Sequence, residues 1–181
     1  VDGWNQYSPA GSEQLGWSSG TIAPNLCHCG PEGSASGIFL ANFLVVSDRN
    51  NVLKKQYTIA QNSIGNFSEI KVKFRYVVID SWDQDQDYGF AGFASDVNGS
   101  VFKLAWYENI VHASGGSPKL NSSDFKAASQ FRGNSNISDH WMDVEMTAKA
   151  NGNSFWVFIG AAMEGPLDEI FGLGPVEVWV R

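Results

Sequence analysis

Basic clusters are missing from this chain. Its twelve Lys and Arg are scattered among nineteen Asp and Glu, giving a formal charge of −7 over 181 residues. Nucleic-acid phosphates need a basic face, so no nucleic-acid partner is expected. Also missing is an apolar run of the ~20 residues that a membrane helix requires. The longest such tract, Ile38 to Val46, is interrupted by Asn42 and is of strand length. No membrane insertion is expected. Only three histidines occur, at 28, 112 and 140, in unrelated contexts. Gly-x-Ser-x-Gly, phosphate-loop and His-Glu-x-x-His motifs are absent. Asp83 or Asp85 with Glu169 supplies a carboxylate pair of the kind glycosidases use, but nothing in the spacing favours that over a structural role. The chain reads as a non-enzyme.

The two cysteines, Cys27 and Cys29, flank His28. With no second Cys/His cluster, a zinc site lacks ligands. A bond between Cys27 and Cys29 is strained, because extended residues two apart sit ~7 Å apart, at the far limit of disulfide geometry. Pairing with another chain and a pair of free thiols are the alternatives.

Aromatics are plentiful, with seven Trp and twelve Phe, too much apolar material for a disordered chain. Their periodicity is that of strands. In Glu69–Asp80, Ile70, Val72, Phe74, Tyr76 and Val78 alternate with Lys71, Lys73 and Arg75, the pattern of a half-buried strand. Similar segments are predicted at Ile38–Ser47, Leu53–Ala60, Tyr88–Ala94, Val101–Tyr107, Trp141–Ala148, Ser154–Ala161 and Val176–Val180. Only Ser123–Gln130 offers a short helix. Asn98-Gly99 fits a hairpin, and Asn151-Gly152-Asn153 is turn chemistry. About eight short strands so punctuated predict an all-β fold, a two-sheet antiparallel β-sandwich of the jelly-roll kind. It occupies 37–181. Residues 1–36 form an extended Gly/Ser/Pro-rich arm, yet carry Trp4 and Trp17, which a plain linker would not. These two are the expected assembly residues.

Four N-x-Ser sequons, at Asn66, Asn98, Asn121 and Asn136, fall in or beside predicted turns and predict N-linked glycans on an extracellular, secreted chain. The most specific local feature is acidic: Asp80, Asp83, Asp85 and Asp87 crowd one loop. Asp83-x-Asp85-x-Asp87 starts like an EF-hand loop, but Tyr88 stands at the sixth position and Ala94 at the twelfth, so an EF-hand is rejected. Like charges this dense repel unless a cation, a basic side chain or water neutralises them. A Ca²⁺ site from this loop plus a distant carboxylate is one reading; a solvated acidic hairpin, or side chains capping turn amides, is the other.

Ile79-Asp80-Ser81-Trp82-Asp83-x-Asp85, together with Asp168-Glu169-x-Phe171-Gly172 and Val176, resembles the jelly-roll modules of ciliate and other protist surface proteins. The resemblance covers about 37–181 and departs at Gly174-Pro175, where those modules carry Asp-Asn. It implies an extracellular module with a binding or structural role. Trp82 and Phe171 are then expected to plug one end of the sandwich. Asp80, Asp83, Asp85, Asp168 and Glu169 are the candidate metal ligands.

Two functions follow. One is a structural or adhesive glycoprotein that self-associates with copies of itself into a coat or filament through the arm. The other is a calcium-dependent, lectin-like carbohydrate-binding module, with Trp106, Tyr107 and Trp141 beside the acidic loop as candidate stacking residues, the alternative for each Trp being a place in the core.

Overall fold

A computed structural model describes residues 3–8, 18–19, 25–27, 43–46, 52–59, 67–80, 82, 87–95, 102–109, 126–127, 140–162 and 169–181. The strands are β1 (Asn5–Ser8), β2 (Ser18–Ser19), β3 (Asn25–Cys27), β4 (Phe43–Val46), β5 (Val52–Thr58), β6 (Glu69–Asp80), β7 (Tyr88–Ala94), β8 (Phe102–Asn109), β9 (Lys126–Ala127), β10 (His140–Lys149), β11 (Ser154–Ala162) and β12 (Glu169–Val180). All pairings are antiparallel.

The first sheet orders as β3-β4-β12-β6-β10-β9, with β1 also on β12, and the second as β2-β5-β11-β7-β8. Stripped of the short β1, β2, β3 and β9, the orders are β4-β12-β6-β10 and β5-β11-β7-β8. Successive strands switch sheets except at the β7–β8 hairpin, and that is jelly-roll topology. Lys126–Ala127, inside the predicted helix, instead pairs with His140 and Trp141 at the edge of the first sheet. Two residues of regular alternation are too few to be read against helix propensity.

Alternation sets the core. Ile70, Val72, Phe74, Tyr76 and Val78 of β6 are buried against Leu53, Phe93, Val157 and Ile159 of the opposite sheet. Tyr76 is the hub. Its ring stacks on Phe171 (centroids 5.4 Å, 3° apart in plane) and meets Trp82 edge-on at 6.3 Å. Trp82, Phe171 and Tyr76 are all fully buried, so the two motif aromatics do plug one end of the sandwich. The Tyr76 hydroxyl crosses to the second sheet and donates to the Gly160 carbonyl at 3.0 Å. Gly89 makes this possible: a Cβ there would lie 2.8 Å from Trp106 and 2.9 Å from Tyr76.

β12 carries a bulge between Leu173 and Val176, and Gly174-Pro175 occupies it. Proline cannot donate to a ladder, and such a break is where it is tolerated. A Cβ on Gly174 would sit 2.8 Å from the Arg75 Cβ. On one side of the bulge β12 pairs with β4 at Phe171–Leu173; on the other it pairs with β1 at Val178–Val180. Three described pieces of residues 1–36 thus add strands to their own chain's sheets. Trp4 lies with the Lys71 ammonium 4.3 Å and the Arg181 guanidinium 4.7 Å from its ring. The Tyr7 hydroxyl donates to the Thr58 carbonyl across the sandwich at 2.9 Å. Gly152 has a φ of +92°, as its turn between β10 and β11 requires.

Candidate functional site

The two outer faces of the sandwich differ in chemistry. On the first sheet, outward positions of β6, β10 and β12 carry charge in matched pairs. Arg75 donates to both carboxylate oxygens of Asp143, at 2.8 and 3.0 Å, while its guanidinium lies 3.8 Å from the Trp141 ring centre. Lys73 pairs with Glu145 at 3.1 Å. Arg181 pairs with Glu69, and Lys71 and Lys73 each lie 5.9 Å from the Trp179 ring centre. The Trp179 indole donates to Glu177.

Among the described residues, the outward positions of the second sheet's β7 and β11 are mostly aromatic or glycine and carry no charge. Register puts Tyr88, Phe90 and Gly92 of β7 beside Ala162, Gly160 and Phe158 of β11, in that order. Phe158 thus faces Gly92, and Phe90 faces Gly160: two reciprocal Phe–Gly pairs. A glycine opposite leaves its partner's ring room to lie against the sheet, and Phe158 is only 8% exposed although its position points outward. On the β8 side, Tyr107 is 50% and Leu104 51% exposed. The Tyr107 ring centre is 5.1 Å from that of Tyr88, which in turn lies 6.5 Å from Phe90. At the far edge, Gln56 and Thr58 meet the Ser154 hydroxyl at 2.9 and 3.3 Å.

A bulge decides which β8 aromatic is exposed. Trp106 pairs with Ala91, but Leu104 pairs with Gly92, so Ala105 is the extra residue. Strict alternation would put Leu104 and Trp106 on one face; the bulge sends Trp106 inward and Leu104 and Tyr107 outward. Trp106 accordingly packs on Tyr76, at 4.8 Å, and on Phe74. Of the three expected stacking residues, only Tyr107 is therefore available. Trp106 belongs against the core, and Trp141 is 3% exposed beneath Arg75. Tyr88 and Phe90, Tyr107's neighbours on this face, come from a segment that reads as ordinary core strand.

The acidic motifs converge at backbone level, since Glu169 is the register partner of Asp80 at the end of β12 and β6. Asp83, Asp85 and Asp168 lie outside the described residues, as do the four sequon asparagines, Cys29 and Trp17. Cys27 ends β3, opposite Phe43. Among the described residues no group of three or more His, Cys, Asp or Glu is placed to hold a metal. Asp87, which closes the acidic loop, is fully buried.

These features define a two-sheet β-sandwich of jelly-roll topology. A cleaved adhesin domain of Lys-gingipain from Porphyromonas gingivalis shares the fold, with a TM-score of 0.50 and 10% identity over 90% of either chain. The C-terminal CBM6 of LamC, a marine laminarinase from Zobellia galactanivorans, has a TM-score of 0.45 and 10% identity, covering 96% of this chain and 98% of its own. A xylan-binding module, CBM15, has a TM-score of 0.44 and 9% identity, covering 98% and 96%. At such identities the similarity is one of fold alone. No protein-family model and no curated protein matches the sequence. The resemblance to ciliate and protist surface modules thus rests on its two short motifs.

Proposed function

We propose that this chain is an extracellular adhesive module that binds carbohydrate on the outer face of its second sheet. The observation that carries the reading is the exposed pair Tyr107 and Leu104, with the Tyr88 ring 5.1 Å from that of Tyr107. Electron-rich aromatic faces suit the C–H-rich face of a pyranose, and apolar contact with a few polar groups at the margin is the usual make-up of a sugar site. Exposed apolar surface of this kind otherwise favours aggregation. The modules of LamC and CBM15 lend their fold to this reading and no more.

Self-association through the arm has less in its favour, because the arm's described strands pair within the chain and Trp4 is engaged by Lys71 and Arg181. Calcium dependence draws on the register pairing of Asp80 with Glu169. A glycan array probed with the protein, with and without a chelator, tests both parts. Binding that disappears in Tyr107→Ala supports the face, and binding lost on chelation supports the cation. Absence of binding across a broad array would sink the proposal.

A further inference from the structure

Beyond the carbohydrate reading, and independent of it, we infer that the outer edge of β8 pairs with β8 of a second copy of this chain. A two-fold axis relates the copies, and their five-stranded sheets join into one continuous sheet. β8 ends its sheet, and among the described residues β7 is its sole neighbour there. An edge strand offers a row of N–H and C=O groups for another strand to pair. Lys103, Leu104, Ala105 and Tyr107 are all exposed on it. Leu104 and Tyr107 are the exposed large apolar side chains of the described residues.

The bulge selects the partner. Proteins blunt open edges with bulges, because an ordinary strand laid against one falls out of step with it. On β8 the extra residue, Ala105, puts Leu104 and Tyr107 on one face although they are three apart. A regularly alternating strand matched to Leu104 would turn its other face at Tyr107. A second β8 carries the same bulge. With the two-fold between Ala105 and Trp106, Leu104 of each copy meets Tyr107 of the other. The same register sets Lys103 opposite Glu108 and Phe102 opposite Asn109. Each of these pairs joins positions of equal parity. Leu104, Tyr107, Phe102 and Asn109 are the partners of Gly92, Phe90, Ala94 and Tyr88, whereas Lys103 and Glu108 are the partners of Phe93 and Gly89. A register centred elsewhere sets outward residues against inward ones on at least one side of the bulge. Apolar thus meets apolar and charge meets opposite charge, both favourable across antiparallel strands. Ala105 is small and exposed, and Trp106 packs inward on Tyr76, so no bulky side chain stands at the axis. The interface uses the same edge of each copy and closes at two. It leaves the outer face of the sheet free for a ligand.

The test is sedimentation of the whole chain between about 1 and about 500 µM, where small interfaces dissociate. Expected is a monomer–dimer equilibrium. Lys103→Glu, which sets glutamate opposite glutamate twice, should weaken the dimer about tenfold or more, with the thermal melt little changed. Adding Glu108→Lys should restore it. Independently of the variants, hydrogen exchange over 102–109 should slow as the dimer fills. A monomer at every concentration overturns the inference. So does a dimer that withstands Lys103→Glu and leaves exchange in β8 unaltered, which puts the contact on another surface. Either result leaves the carbohydrate reading standing, since that fails only when no glycan of the array is bound.

Discussion

The two outer faces of this sandwich start from one rule of alternation and reach opposite ends. On the first sheet every second residue of β6 from Glu69 to Arg75 is charged, and each has a partner across the strand or a Trp ring above it. Such a face is well solvated and need not cover anything. On the second sheet the equivalent positions of β11 and β7 hold Trp156, Phe158, Phe90 and Tyr88. Of these Phe158 is buried and the others half-buried, so the exposed apolar part of this face is the β8 pair Leu104 and Tyr107, a surface whose tendency to aggregate is offset when it meets a partner. Ring contacts differ in kind on the two outer faces: Lys71, Lys73 and Arg75 cover Trp rings on the first, whereas Tyr107 and Tyr88 pack on each other on the second.

The comparison can be broken most severely from beneath. Trp82→Ala removes the fully buried plug that meets Tyr76, and should cost about 3–5 kcal/mol in a urea titration. A loss below about 1 kcal/mol would mean that the end of the sandwich is held by something else. The double change Tyr88→Ala and Tyr107→Ala should weaken glycan binding at least about tenfold, some 1.4 kcal/mol, with stability nearly unchanged. Trp179→Ala on the other face should do the reverse: binding intact, stability lower by about 1–2 kcal/mol through lost cation–aromatic contacts and the bond to Glu177. If both variants lose binding, the faces are not independent.

Tyr76→Phe probes the link between sheets. It removes the hydroxyl bonded to the Gly160 carbonyl and should cost about 1–2 kcal/mol at neutral pH. Burial also raises the Tyr76 hydroxyl well above its usual value. Its stabilising contribution is therefore fully present below the unfolded tyrosine value of about 10. Above it the unfolded chain loses the proton first, and stability falls until pH passes the folded value. Denaturant midpoints measured upward from pH 9 should decline more steeply in the parent than in Tyr76→Phe; equal slopes would contradict the buried hydroxyl. The smallest effect belongs to the half-exposed Lys73–Glu145 pair. Glu145→Gln should change stability by less than about 1 kcal/mol, and less still in high salt.

Much of this architecture is legible before any coordinates. The bounds of β6 and β7 follow from the alternation alone, because long half-buried strands repeat the signal enough times to be heard. The strands β1, β2, β3 and β9 are two to four residues long and carry no such signal; tertiary pairing creates them. The first half of β12 resists reading for another reason: Phe171-Gly-Leu-Gly-Pro175 has the composition of a loop, and only the bulge reconciles it with a strand. The aromatic face was half legible. Tyr107 emerges as a surface candidate, but Tyr88 and Phe90 look like core, since an apolar residue in a strand is assigned inward by default. The Ala105 bulge, which exchanges Trp106 for Tyr107, leaves no mark in the hydrophobic pattern.

The position of β12 bears on how the molecule is made. It is the last of these strands in sequence, yet it lies between β6 on one side and β4 and β1 on the other. During synthesis the earlier strands must wait for it, with β4 and β6 lacking the neighbour that joins them. Val178 pairs with Ser8 and Val72, residues separated by most of the chain length, and contacts so distant in sequence slow folding because loop entropy is lost before they form. Folding should therefore be late and slow, completed when the chain's final strand slides between partners already made.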